Sequence, residues 1–151
     1  MVDQPYLLDT NIVLHATRQD SPISKAIEQQ FRINTSRFRP AICEVSLGEL
    51  FAFTQSQGWG KRRQDLLEDQ IRSCLVLPIS HPGVHRRFAE ISSALRAAGK
   101  TVGQNDIWIA ATATVTGLTL MTTDRDFCEL VRLGLMQAEV LDARTGLRSP
   151  C

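Results

Sequence analysis

The stretch Tyr6-Leu7-Leu8-Asp9-Thr10-Asn11-Ile12-Val13-Leu14 decides how the chain is read, because it places a carboxylate where an apolar run stops. Tyr6 to Leu8 fits a short buried strand, and from Thr10 onward the apolar spacing becomes helical. Asp9 therefore sits at a strand-to-helix junction. In an open α/β sheet, ligands bind at such junctions, outside the carboxyl ends of the strands. The other reading of Asp9 is an N-cap that accepts hydrogen bonds from the orphan amides of the following helix. What separates the two is whether further acids reach the same rim.

Beyond this stretch, helices and strands alternate to the end. Asn11 to Ala16 reads as a short helix. Ser21-Pro22 opens a second, with Ile23, Ala26, Ile27 and Phe31 on its buried face, ending near Asn34. A strand is expected at 37–42, where Pro40 implies a sheet edge or an early break. Leu47, Leu50, Phe51 and Phe53 mark a helix over 43–56, broken by Gln57-Gly58-Trp59-Gly60, and Lys61-Arg62-Arg63 opens the next. A strand at 75–79 is interrupted by Pro78. Val84, Phe88, Ile91 and Leu95 then give an amphipathic helix. Residues 106–115 form an apolar, central helix closed by Gly117. A strand at 118–122, a helix through Leu130 and Val131, a strand at 138–141 and a polar tail over 143–151 complete the order. This alternation predicts an α/β fold with a mostly parallel sheet covered on both faces. The length of 151 residues fits a single domain, 1–151, with no repeat or linker.

Composition narrows the function. A formal net charge of +1 excludes a polycation that holds nucleic acid by bulk charge, although a local basic surface remains open. Cys43, Cys74, Cys128 and Cys151 form no Cys-x-x-Cys pair, which argues against a zinc knuckle or redox motif. Free thiols in a reducing cytoplasm are expected. No apolar run approaches the ~18 residues needed to span a bilayer, and no basic-then-apolar leader opens the chain. A cytoplasmic protein with no membrane contact is expected.

Four acids fall where such a sheet would gather them. Asp124 repeats the pattern of Asp9, an apolar strand followed by an acid and then a helix. If the two strands are neighbours, both carboxylates lie on one rim. Asp126 is either a further ligand or a first-turn acid that suits the helix dipole. Glu49 has Val45, Ala52 and Phe53 as its helical neighbours, so its carboxylate lies on or beside an apolar face, unless it sits at an edge and reaches solvent. Buried acids are normally paired or coordinate a metal. Asp106 occupies the first turn of the most apolar helix, among Val102, Ile109 and Ala110, where the dipole alone also suits it. No Lys or Arg stands at fixed helical spacing to neutralise these groups. An all-oxygen set suits Mg²⁺ or Mn²⁺ rather than zinc. Acids holding such ions are the working part of metal-dependent phosphodiester hydrolysis, in which the ion activates water and clamps the scissile phosphate.

Leu7-Leu8-Asp9-Thr10-Asn11, Glu49-Leu50, Asn105-Asp106-Ile107-Trp108-Ile109-Ala110-Ala111 and Thr122-Thr123-Asp124-Arg125-Asp126-Phe127 resemble, in order and spacing, the PIN-domain ribonucleases, and within them the VapC toxins of toxin-antitoxin pairs. The resemblance covers nearly the whole chain. It implies a three-layer α/β/α sandwich and a Mg²⁺- or Mn²⁺-dependent endoribonuclease toxin that cleaves RNA with a metal-activated water. It also implies a homodimer inhibited by a cognate antitoxin protein. By position, Asp9, Glu49, Asp106 and Asp124 match the family's catalytic, metal-holding quartet, with Asp126 as an extra ligand and Thr122 as a supporting hydroxyl beside them. Asn11 is a further supporting residue. Gly48 departs from the Thr many members have before the Glu, and weakens that helix turn.

The remaining features have plainer readings beside functional ones. Lys61, Arg62 and Arg63 are candidate RNA-phosphate contacts or simply solvated surface. Trp59 can stack on a base or fill the core; Trp108, in an apolar helix, reads as core. His81 precedes Pro82 and should cap rather than bind zinc with His85. Two other functions compete. A haloacid dehalogenase-like phosphatase would use Asp9 as nucleophile, but needs a second Asp where Asn11 stands. A non-catalytic PIN-like binding module would have no need of the complete set of acids.

Overall fold

A computed structural model describes residues 3–151. The chain runs β1 (Tyr6–Leu8), α1 (Thr10–Thr17), α2 (Pro22–Phe31), β2 (Ala41–Cys43), α3 (Glu44–Ser56), α4 (Lys61–Arg72), β3 (Leu75–Leu77), α5 (Pro82–Ala97), α6 (Gln104–Thr116), β4 (Thr119–Thr122), α7 (Phe127–Arg132) and β5 (Ala138–Val140). The five strands form one sheet in the order β3-β2-β1-β4-β5, and every pairing is parallel.

Parallel strands need crossovers, and the helices that make them cover both faces, so the strands are apolar on both sides. Leu7, Ala41, Cys43 and Leu120 point into one core with α5, α6 and α7, through Ile91, Ile109, Ala110 and Phe127. Tyr6, Leu8, Ile42 and Met121 point into the other with α1 to α4, through Ile12, Val13, Phe31, Leu50 and Leu67. The result is an α/β/α sandwich. β1 is central, and the chain builds outward through β2 and β3 before crossing to β4 and β5 on its other side. The order therefore reverses between β1 and β4, which opens a crevice at their carboxyl ends.

Two expectations are corrected. β2 is an interior strand, not an edge. Pro40 stands one residue before it, so its missing N–H interrupts no ladder, and its carbonyl accepts from Leu75 N–H at 2.9 Å. The edge on this side is β3, where Leu75 and Val76 are exposed and Pro78 follows the strand; β5 is the other. Secondly, Cys43 and Cys74 are free and buried, but Cys128 and Cys151 are joined in a disulfide. The cause lies in the tail. After β5 the Asp142 carboxylate accepts from the N–H groups of Arg144 and Thr145, and the chain turns back so that Leu141 and Arg148 bridge antiparallel. Gln30 donates to the Gly146 carbonyl at 2.8 Å, and Arg125 donates to the Ser149 and Pro150 carbonyls. These contacts deliver Cys151 to Cys128. Gly146 has φ 73° and lies where a Cβ would stand 2.8 Å from the Ile23 carbonyl, so only glycine allows this approach.

Candidate metal centre

Pairing of Leu8 with Met121 sets the ends of β1 and β4 side by side, and Asp9 N–H donates to the Met121 carbonyl at 3.0 Å. Asp9 and Asp124 therefore leave the sheet at the reversal crevice, on one rim. Asp9 is 5% exposed. Its Oδ1 accepts from Thr10 N–H at 2.8 Å, making it the cap of α1. Its Oδ2 accepts from the Thr122 hydroxyl at 2.6 Å and the Asn11 amide at 3.3 Å. Cap and site are thus the same side chain in two uses.

Thr122 and Asn11 hold the rim together. The fully buried Thr122 hydroxyl also accepts from Asp124 N–H at 2.9 Å, and the Asn11 carbonyl oxygen accepts from Thr123 N–H at 3.1 Å. Asn11, where a dehalogenase-like enzyme would carry a second acid, is here a positioning amide. Glu49 lies in the second turn of α3, which runs unbroken through Gly48, and accepts from the Thr10 hydroxyl at 3.0 Å. Thr10 was not singled out from sequence. Its partner lies thirty-nine residues on, and the only local hint is a hydroxyl beside the acid.

Asp106, Asp124 and Asp126 come closest to one another, each offering a carboxylate oxygen within 4.8 Å of the others. Asp126 makes no side-chain cap bond to α7, and its N–H donates to Asp124 Oδ1 at 2.9 Å. Of its two sequence readings, this placement favours the ligand. Burial pushes the Asp106 carboxyl up to about 7, assisted by the charges of Asp124, Asp9, Glu49 and Asp126. Burial likewise raises Asp9, against the lowering bonds from Thr122 and Thr10, with Glu49 and Asp124 adding repulsion. All five acids therefore share one field. Among the described residues none of them forms an ion pair.

That arrangement fits a hard divalent cation. Oxygens ~2.1 Å from a common Mg²⁺ lie no more than ~4.2 Å apart, so three within 4.8 Å need little movement to share one ion. A cation would also offset both the burial and the neighbouring negative charges that raise the Asp106 carboxyl.

The other candidates fall elsewhere. Lys61, Arg62 and Arg63 open α4 beside the far end of α1 from Asp9, about 11 Å along that helix. Lys61 pairs with Asp65 at 2.9 Å, and Arg63 and Arg18 lie over the Trp59 ring at 5.5 and 6.0 Å. Trp59 is core, 7% exposed, and is not a platform for a base. Trp108 is half-buried and stacks on Phe88 at 4.1 Å. His81 caps α5 through Nδ1, which accepts from Gly83 N–H. No helix among the described residues is long and apolar enough to cross a membrane.

Acids clustered without ion pairs at the reversal point of an all-parallel α/β sheet are chemically suited to phosphodiester cleavage around a divalent ion. The sequence profile of the PIN domain matches residues 6–133, and the chain belongs to the PIN-domain family. Ribonuclease VapC2 of Haemophilus influenzae is 28% identical over 129 residues, covering 85% of this chain and 93% of that relative. Among solved structures, VapBC2 from Rickettsia felis bound to a promoter DNA fragment superposes with a TM-score of 0.75 at 21% identity, over 92% of this chain and 100% of that one. DNA-bound VapBC from Salmonella typhimurium gives 0.72 at 25% identity, over 90% and 97%.

Proposed function

We propose that this chain is a metal-dependent endoribonuclease and the toxin of a toxin-antitoxin pair, held in check by a cognate antitoxin protein. The observation that carries the chemistry is the grouping of Asp106, Asp124 and Asp126 within 4.8 Å at the strand-order reversal, with no ion pair to them among the described residues. Support for the biological role comes from the ribonuclease VapC relative and the VapBC likenesses, taken with the family membership.

In this reading Asp106, Asp124 and Asp126 hold Mg²⁺ or Mn²⁺, with Asp9 and Glu49 completing the catalytic set. When bound, the ion supplies Lewis-acid chemistry, acidifying a water and offsetting charge on the scissile phosphate. Thr122 orients Asp9 and fixes the backbone of Asp124, Asn11 ties Asp9 to Thr123, and Thr10 aims Glu49. The buried cap bond from Thr10 N–H keeps Asp9 rigid, so the carboxylates are preorganised rather than collected by the substrate. The chain acts as one domain over 1–151, as a homodimer, in the cytoplasm where RNA is available. There the thiol pool would reduce the Cys128–Cys151 bond, leaving the Arg125 and Gln30 contacts to hold the tail.

The test is cleavage of an RNA oligonucleotide by purified protein with Mg²⁺ or Mn²⁺. Activity is expected to vanish with EDTA and to fall at least ~100-fold in Asp9→Asn. Cleavage that persists in EDTA, or a fully active Asp9→Asn protein, overturns the assignment.

A further inference from the structure

The acidic rim repels the polyanion it is proposed to cut, so the chain needs cations beside it. Arg125 stands between Asp124 and Asp126 but spends its guanidinium on the tail, through the Ser149 and Pro150 carbonyls and the Ser149 hydroxyl. Arg132 is paired with Glu129, and the Arg18, Arg62 and Arg63 group lies at the distant end of α1. Lys100 shares Glu129 with Arg132 but at a longer 4.0 Å against 3.4 Å, and it stands near Arg96 on a separate basic place. A cleft of about 440 Å³ opens between the C-terminal end of α5 and the start of α6, with Arg96 and Lys100 at its mouth and Leu95, Val102 and Ile107 as its floor.

None of the three acids lines this cleft, but its loop and α6 lead to them. The lining residue Ile107 follows Asp106 in α6, and the Asp106 Oδ2 lies 3.8 Å from the Cβ position of Gly103, the residue after the lining Val102. On the other side Lys100 reaches towards Glu129, 4.0 Å away in α7, three residues after Asp126. Arg96 has no carboxylate partner among the described residues, and Ser92 and Thr101 bring hydroxyls to the wall. Two cations, two hydroxyls and an apolar floor match a ribonucleotide: phosphate, ribose and base in turn.

We propose that the α5–α6 cleft is an RNA subsite that holds the nucleotide adjoining the scissile phosphate, with Arg96 and Lys100 on its phosphate. The proposal rests on the ribonuclease reading of the acidic rim and adds where the strand lies: across the triad towards α5, rather than along α1 towards Trp59. A single strand suits the site, because the cleft takes an unstacked nucleotide at the rim of an open groove.

The test measures single-stranded RNA binding by fluorescence anisotropy in an Asp9→Asn background, where the strand stays intact, together with steady-state cleavage in the native background. Arg96→Ala with Lys100→Ala is expected to weaken binding about tenfold or more, and to lower the slope of log K against log salt by roughly 0.7, for the one phosphate neutralised. KM should rise with kcat nearly unchanged, and Arg96→Lys should recover part of the loss. Both side chains are exposed, so the fold is not at stake. Unchanged binding and KM in a protein that still cuts RNA overturns the subsite while leaving the ribonuclease reading intact. A native protein that neither binds nor cuts RNA overturns both. An equal loss from Lys25→Ala, an exposed cation on α2, shows a bulk charge effect and overturns the subsite. Loss of oligoglutamate binding with RNA affinity unchanged makes the cleft a protein-docking site and equally overturns it.

Discussion

Removing the Thr122 hydroxyl while keeping its shape tests whether the rim is preorganised by that one group. Thr122 is fully buried, donates to Asp9 Oδ2 at 2.6 Å and accepts from Asp124 N–H at 2.9 Å. Thr122→Val deletes both bonds without opening a cavity. A hydrogen bond to a charged group contributes about 1.5–3 kcal/mol, and a buried amide left without a partner costs about 1–3 kcal/mol. Some of this is recovered, since Asp9 keeps Thr10 N–H and the long Asn11 bond can shorten. The expected destabilisation is about 2–4 kcal/mol, read as a lower urea midpoint at constant m-value. The Thr122 bond also lowers the Asp9 carboxyl, so its loss lets burial raise that group further. Mn²⁺ affinity should therefore fall at neutral pH and recover in part at higher pH. Thr122→Ser keeps the hydroxyl and loses one methyl, so it should cost about 1 kcal/mol and retain Mn²⁺ binding. Thr122→Val within ~0.5 kcal/mol of the native protein with unchanged Mn²⁺ affinity, or Thr122→Ser as damaging as the valine, would refute the reasoning.

Three further outcomes are expected. Asp106 has an ordinary carboxyl value of 3.8 and sits at about 7 in the fold, so between roughly pH 4 and 7 the folded state binds more protons than the unfolded one. Metal-free stability should therefore fall as pH rises through that window, and Mn²⁺ should raise Tm more at about pH 8 than at about pH 5; an equal metal-induced rise in Tm at both pH values contradicts this. Gly48 lies inside α3 with nothing within 4 Å of a Cβ, so Gly48→Ala should stabilise by about 0.5–1 kcal/mol in thermal melts and leave cleavage unchanged. Reducing the Cys128–Cys151 bond, whose partners are twenty-three residues apart, should lower stability by roughly 3 kcal/mol in denaturant titrations, and dithiothreitol should have no such effect on Cys151→Ser.

The fold was legible because its signals are local. Tyr6 to Leu8 and 118–122 are apolar runs ending in an acid, and a parallel sheet with crossover helices follows from the alternation alone. Asp9, Glu49, Asp106 and Asp124 were visible for the same reason, each being an acid where local pattern predicts burial or a strand end. Asp126 stayed open, because a ligand and a first-turn acid have the same local pattern; its nearness to Asp106 and Asp124 exists only once α6 and β4 pack. Thr10 could not be found, since Glu49 reaches it from another helix. Of the two readings of Pro40, an edge or an early break, the edge fails, because a proline just before a strand and one inside it look alike in sequence. The paired cysteines were missed because a tail that reads as polar and unstructured is pinned by Gln30, more than a hundred residues away, and by Arg125.

The most direct test is an anomalous difference map from a crystal of the protein soaked in Mn²⁺. The account predicts a peak within ~2.0–2.4 Å of carboxylate oxygens from Asp106, Asp124 and Asp126, with Asp9 and Glu49 around it, and no such peak in Asp124→Asn. A fully occupied ion elsewhere on the chain with none on this rim, or an undiminished peak in Asp124→Asn, would contradict it.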